Sequence, residues 1–349
     1  MMNKILPFKD SIISYTPNFD HFLSVLENQQ EVALPWILEN YIELIIRKDI
    51  QNPPVFEFLD YNKVWWTCPF VHVSRIEREA FSVFGELYYS IKKLIDKEFY
   101  IYFLVDTFYI KGYVTYQKEH FMHDIFIYGY DNECFYACDY FDFKKKSILK
   151  IAAIDIVNGY KNVPKSNDYV RGVVLFHREE IKDNIVLYQY KESMNGLLDV
   201  EINGYSMDHN LVKFKLSRFL ESPSYINSVT PTWFDYRLGY TTGFNVFYVL
   251  RNALKADIPV TPKDLHLVCC HIELMIKRVD YLIMEEPSEI RVKLREHFLD
   301  DFKMATIIKS LLIKDSLNTN NRNIVKLIKH FEKFIIEYKR DLENFRSTL

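Results

Sequence analysis

An α+β fold followed by a mostly helical second part is what the sequence predicts, on three observations. Aromatic and β-branched runs at 99–110 and 121–139 read as strands. Apolar residues recur at helical spacing near the start and through the last third of the chain. The pattern also changes after about residue 205, from mixed to almost wholly helical. The chain therefore divides at 204/205 into an α+β domain, 1–204, and a helical domain, 205–349.

Residues 18–49 read as helical, because Phe19, Phe22, Leu23 and Leu26, then Trp36, Ile37, Tyr41, Leu44 and Ile45, fall on helical periods. Pro35 suits a first turn, and Pro53-Pro54 closes the unit. Residues 55–66 alternate and read as extended. Residues 74–96 read as a helix with Ser74 as its cap and Glu77 three residues on. A strand at 99–110, the hairpin at 121–139 and a charged turn at 142–147 follow. Residues 148–160 read as a helix, and 170–190 contain at least one more strand. Beyond 205, helices are expected at 245–256, 261–285, 288–317 and 323–345. The last carries one stripe of Ile324, Leu327, Ile328, Phe331, Phe334, Ile335, Tyr338, Leu342 and Phe345, which is bundle packing.

With 349 residues and 49% hydrophobic content, the chain can bury a large core. Its net charge of −3 gives no pull toward nucleic acid, and the Lys-rich stretches near the end are interleaved with acids. No apolar run approaches a membrane span, and the first residues lack a signal sequence. Five cysteines without framework spacing fit a reducing compartment, so a cytoplasmic protein is expected. Phosphate loop, nucleophile elbow, zinc-protease motif and dinucleotide fingerprint are all missing, and no cofactor or metal is expected. Cys134 and Cys138 lie four residues apart on one strand, about 13 Å, too far to share an ion. Cys269-Cys270-His271 with His266 suggests a helical metal pair, but its apolar setting reads as core.

The hairpin carries the chemistry. With its loop centred on Asp131, opposed residues have numbers summing to 262, so that Ile127 faces Phe135, Ile125 faces Ala137 and His123 faces Asp139. Opposed side chains are about 5 Å apart at Cβ, so imidazole and carboxylate can bond. Such a pair is either an oriented general base or a satisfied polar contact.

The run from Glu119 to Asp131, with His123-Asp124-Ile125-Phe126-Ile127-Tyr128-Gly129-Tyr130-Asp131 at its centre, resembles the papain-like, peptidase C39-like fold. So does Phe135-Tyr136-Ala137-Cys138-Asp139. More narrowly, the chain resembles the family named for the butirosin-biosynthesis acyltransferase, whose members accompany nonribosomal peptide and polyketide assembly lines. A weaker echo lies in Thr242–Phe247 and in His271–Leu282. The resemblance implies an acyltransferase of antibiotic biosynthesis that moves an acyl or peptidyl group from a carrier-protein thioester to an amine, or a hydrolase that passes it to water. An acyl or peptidyl carrier protein and a small amine are the implied partners. A cysteine nucleophile at an early helix, His123 as its base and Asp139 as the orienting acid are the implied site.

The sequence departs from that pattern, for no cysteine precedes Cys68 and the expected nucleophile position falls near Asp20. Three readings follow. Asp20, or its neighbour His21, activates the acceptor for one-step transfer; Cys68 is a relocated nucleophile rather than a buried small hydrophobe; or turnover is lost and binding kept.

Overall fold

The computed structural model describes residues 3–26, 30–48, 55–59, 61–178, 186–193, 196–203, 205–222, 239–256, 258–317 and 324–349. In chain order, β1 (Lys4–Ile5), α1 (Pro17–Leu26), α2 (Gln30–Asn40), β2 (Leu44–Lys48), β3 (Val55–Phe58) and α3 (Tyr61–Trp66) come first. Then come β4 (Val71–Ile76), α4 (Arg78–Ser82), α5 (Leu87–Asp96), β5 (Phe99–Asp106), β6 (Met122–Tyr130), β7 (Cys134–Asp139), β8 (Ser147–Ala152), α6 (Ala153–Lys161) and β9 (Val173–Arg178). The chain closes with β10 (Val186–Ser193), β11 (Gly196–Asn203), α7 (His209–Glu221), β12 (Gly239–Thr242), α8 (Asn245–Lys255), α9 (Pro262–Glu285), α10 (Glu289–Leu317) and α11 (Ile324–Thr348). The protein is α+β. No helix among the described residues is long and apolar enough to cross a membrane.

Two compact units form, Met1–Ala33 with Trp65–Gly204 and Leu34–Val64 with Tyr205–Leu349. Residues 34–64, assigned by sequence to the first domain, thus cluster with the second unit. The reason is a strand the helical reading missed. Ile45-Ile46 is a β-branched pair in a strand bonded to both β3 and β12, and that pairing outweighs the periodic apolar spacing. Pro35 is not in a first turn but inside α2. Residues 55–66 are extended only to Phe58, and Pro53-Pro54 lies outside the described residues. Ser74 caps no helix: Val71 and Val73 are buried on either side of exposed His72, a period of two that makes β4. Residues 147–152 are likewise a strand, with the expected helix starting only at Ala153.

In the first unit a seven-stranded antiparallel sheet has the order β4-β9-β5-β6-β7-β8, and β1 joins the end of β6. Tyr102, Phe126 and Phe176 meet Phe22 and His21 of α1 and the ring of Trp65, forming an aromatic layer. Phe103 packs instead on Tyr160 of α6.

The hairpin corrects the expected register. Tyr130 opposes Phe135 and Gly129 opposes Tyr136, while Ile127 opposes Ala137 and Phe126 opposes Cys138. The number sum therefore drops from 265 to 264 at a bulge around Tyr128. The bulge decides the face. Continued from the turn, the odd sum would send His123 and Asp139 to opposite faces; after the bulge they share one as diagonal neighbours. Gly129 is required where β1 crosses, because a Cβ there would lie 2.9 Å from the Lys4 carbonyl oxygen and 3.0 Å from Ile5 Cα. Gly129→Ala should therefore cost about 1–3 kcal/mol in a urea titration. An unchanged midpoint would refute the close crossing.

In the second unit β12-β2-β3 form a sheet, and α7 to α11 supply the helical mass. Thr261 and Asp264 close a capping box around Pro262, which starts α9. Fully buried on α9, His271 contacts the Tyr338 hydroxyl at 2.6 Å and the Ile42 carbonyl at 2.7 Å. Two turns on, buried Arg278 donates to the carbonyls of Leu38 and Tyr41, at 2.6 and 2.7 Å. The α11 stripe buries Leu327, Phe331, Phe334, Ile335, Tyr338, Leu342 and Phe345, whereas Ile324 and Ile328 are half-buried.

Candidate functional site

His123 enters from the start of β6 and Asp139 from the end of β7, just past the last rung joining the two strands. His123 Nδ1 lies 2.8 Å from Asp139 Oδ2 and 3.0 Å from the Asp124 carbonyl oxygen. Both partners accept, so Nδ1 carries the proton and Nε2 is the working nitrogen. Tyr113 also donates to Asp139 Oδ2. On the other side of the carboxylate, His21 Nε2 stands 3.8 Å from Asp139 Oδ1, its ring stacked on Phe126 at 5.0 Å. Asp139 and His21 are fully buried; His123, at 15% side-chain exposure, is the member open to solvent.

Electrostatics follow from this placement. Burial alone would lower His123, but the Asp139 hydrogen bond and charge, with the Asp124 charge, raise it to about 9. Burial alone would raise Asp139, but its hydrogen bond with His123 and the nearness of both imidazoles hold it below the ordinary carboxylate value. Burial, then the adjacent Asp139, pushes Tyr113 far above a normal phenol. At neutral pH the centre is an imidazolium–carboxylate pair.

The surrounding walls are aromatic. Phe143, Phe121 and Tyr113 stand 5.3, 6.0 and 6.1 Å from the His123 ring. Phe143 has a φ of 58°, an uncommon conformation for so bulky a residue. It is held there by its N–H bond to the Tyr140 carbonyl and by Asp142, which accepts from the Lys144 and Lys145 amides. Asp124 is bound by the hydroxyls of Tyr102 and Tyr169, both at 2.7 Å. Tyr169 in turn lines a 680 Å³ cleft with Arg78, Lys161, Asp168 and Arg171.

Asp20 belongs to a different task. Its Oδ1 accepts from Lys146 Nζ at 2.5 Å and from Ser11 and Ser24, and its Oδ2 from Tyr140 at 2.8 Å and Ser14 at 3.3 Å. Fully buried and paired with a cation, it has no oxygen left for an acceptor. The next residue, His21, is the one that α1 delivers to Asp139.

Cys68 is not brought to His123. It precedes β4, whose His72 end shares a row, through His177, with Phe99 of β5; His123 opposes Val105, six residues along. The start of β4 therefore stands about 20 Å from His123 along the strands, and β9 and β5 also lie between the two strands. Burial pushes the Cys68 thiol up to about 12, the reverse of a thiolate. Cys138, beside Asp139, is buried in the Phe126 rung and its thiol is likewise raised by burial. Cys134 and Cys138 sit on separate rungs opposite Ala152 and Ile148. The 269–271 triplet is core, and among the described residues no three His, Cys, Asp or Glu side chains are arranged to hold a metal ion.

Sequence reasoning missed Tyr113, Tyr169 and the role of Asp124. It also passed over a second pairing, His120 with Asp106 at 2.6 Å, because the strand contact that joins them is invisible locally. No protein-family model and no curated protein matches the chain.

Proposed function

We propose that this chain is a papain-like, peptidase C39-like acyltransferase of specialised metabolism that works without a covalent acyl-enzyme. It takes an acyl or peptidyl group from a carrier-protein thioester and passes it directly to an amine. The observation behind this reading is the His123 imidazolium, clamped through Nδ1 by Asp139, while the buried Cys68 and Cys138 thiols are pushed up by burial and not activated. The amine attacks the thioester carbonyl, the C–S bond breaks, and His123 Nε2 protonates the departing thiolate. Before that, the same N–H stabilises the oxyanion of the tetrahedral adduct. Phe121 and Phe143 offer an apolar wall to the acyl chain.

The burial of His21 against Asp139 favours one other reading, a carrier-binding homologue without turnover. Incubating the protein with an acyl-loaded carrier and a panel of amines, followed by intact mass spectrometry, separates the two. Amide product with no protein adduct, lost in His123→Ala, is the expected result. An acyl adduct on Cys68 would overturn the direct route, and carrier binding with the thioester intact would establish the second reading.

A further inference from the structure

The groups that occupy the buried Asp20 carboxylate include the two ends of one loop. Tyr140 and Lys146 are the first and last residues of the connection between β7 and β8. Tyr140 donates its hydroxyl to Asp20 Oδ2 at 2.8 Å, while Lys146 Nζ binds Oδ1 at 2.5 Å and Ser24, one turn further along α1, at 2.9 Å. A single carboxylate thus grips both ends. At the base of the loop Asp139 opposes Ser147, so the loop springs from the residue that holds His123.

Inside the loop, Asp142 accepts the Lys144 and Lys145 amides, and the Phe143 N–H binds the Tyr140 carbonyl, all at 2.8 Å. These bonds keep Phe143 at a φ of 58°, which glycine or asparagine would adopt at less cost. A bulky residue persists there only where its surroundings fix it, and such positions gather at functional sites. The conformation brings the Phe143 ring 5.3 Å from His123 and 5.0 Å, edge-on, from Phe121. Phe121 is fixed independently, since Thr107 donates to its carbonyl from both amide and hydroxyl, each at 2.9 Å. Both rings, 40% and 42% exposed, present apolar surface to solvent beside the imidazole.

We propose that the β7–β8 loop is the acyl-recognition element of this site. Phe143 is its specificity-determining residue for apolar acyl groups of several carbons, and Asp20 is the positioning residue that sets the loop. The acyl-transfer reading supplies the identity of the ligand, and the proposal rests on it. An acyl chain laid on Phe143 and Phe121 takes both rings out of water and gains with each carbon buried. An acetyl group is too short to do so.

The test uses the acetyl, hexanoyl and phenylacetyl thioesters of N-acetylcysteamine with wild type, Phe143→Ala, Tyr140→Phe and Asp20→Asn. Binding is followed through the His123 imidazole resonances, which requires no turnover. Trypsin cleavage after the exposed Lys144 and Lys145 reports how firmly the loop is held. Wild type should bind the hexanoyl and phenylacetyl thioesters about 10-fold or more tighter than the acetyl one. Phe143→Ala should erase most of that preference, with acetyl binding and thermal midpoint little changed. Tyr140→Phe and Asp20→Asn should weaken the preference and quicken cleavage several-fold, because an end of the loop is released. Equal affinity for the three thioesters in wild type, or an undiminished preference in Phe143→Ala, would overturn the recognition role. Cleavage and preference both unchanged in Tyr140→Phe would overturn the clamp, even where Asp20→Asn, which leaves Lys146 without its counter-charge, does not fold. Preferential binding of the longer groups with no transfer to any amine would sink the acyl-transfer reading and leave the recognition loop standing.

Discussion

Asp139→Ala should lower the unfolding free energy by about 3–5 kcal/mol and abolish any activity that depends on His123. The substitution strips the carboxylate bonded to His123 Nδ1 and leaves His21 and Tyr113 facing an uncharged space. With that charge gone, burial becomes the dominant influence on His123, and its titration should fall from about 9 to below the ordinary histidine value near 6.5. The pair also dictates a pH window. Because the folded value of about 9 exceeds that of an unfolded histidine, its stabilisation is fully present below about pH 6.5 and is lost as pH rises through 9. On the acid side, Asp139 is held below 3.8, so its contribution persists above that value and is lost as pH falls through the lowered one. Two-dimensional NMR of the imidazole resonances and urea titrations across this range measure both effects. A wild-type His123 titrating near 6.5, or an alanine variant of unaltered stability, would refute the buried pair.

Arg278→Ala is the second substitution expected to have a large effect, on the order of 3–5 kcal/mol. The guanidinium is enclosed on α9 and satisfies the carbonyls of Leu38 and Tyr41, where α2 ends and the chain turns toward β2. Alanine would leave both carbonyls buried without those donors and open a cavity the size of the lost side chain. Arg278→Lys should recover only part of the loss, since one ammonium replaces a planar fork that reaches two acceptors at once. Denaturant unfolding of the three proteins checks this, and equal midpoints for arginine and alanine would exclude the stapling role.

How much of this was legible in the sequence varies with the range of the interaction. Strands β5, β6 and β7 and helices α8 to α11 are local patterns, and their periodicity located them. The stretch from Leu44 to Lys48 misled because Tyr41, Leu44 and Ile45 satisfy a helical spacing while the backbone of 45–48 pairs with residues 239–242, far along the chain. His123 and Asp139 share a face for a reason the turn arithmetic did not contain. A bulge at Tyr128, set beside the β1 crossing at Gly129, shifts the count by one. Asp20 drew attention by its position in the early helix, yet Ser11, Tyr140 and Lys146, which engage it, come from loops that no spacing rule connects. Arg278 reads as an ordinary polar position on a long helix; only the folded chain shows its carbonyl partners.

The second unit is assembled from two separated lengths of chain, and this bears on how the protein can be made or cut. As synthesis proceeds, β2 and β3 emerge early but have no third strand until residues 239–242 appear. Until then Ile45, Ile46, Phe56 and Phe58, all buried in the finished fold, lack the helices α8 and α9 that pack on their sheet. A fragment ending at 204, the cut the sequence suggests, would carry that uncovered hairpin and an unstapled α2 as an aggregation hazard. Separating the first unit cleanly requires excising 34–64 as well and rejoining the chain across the gap.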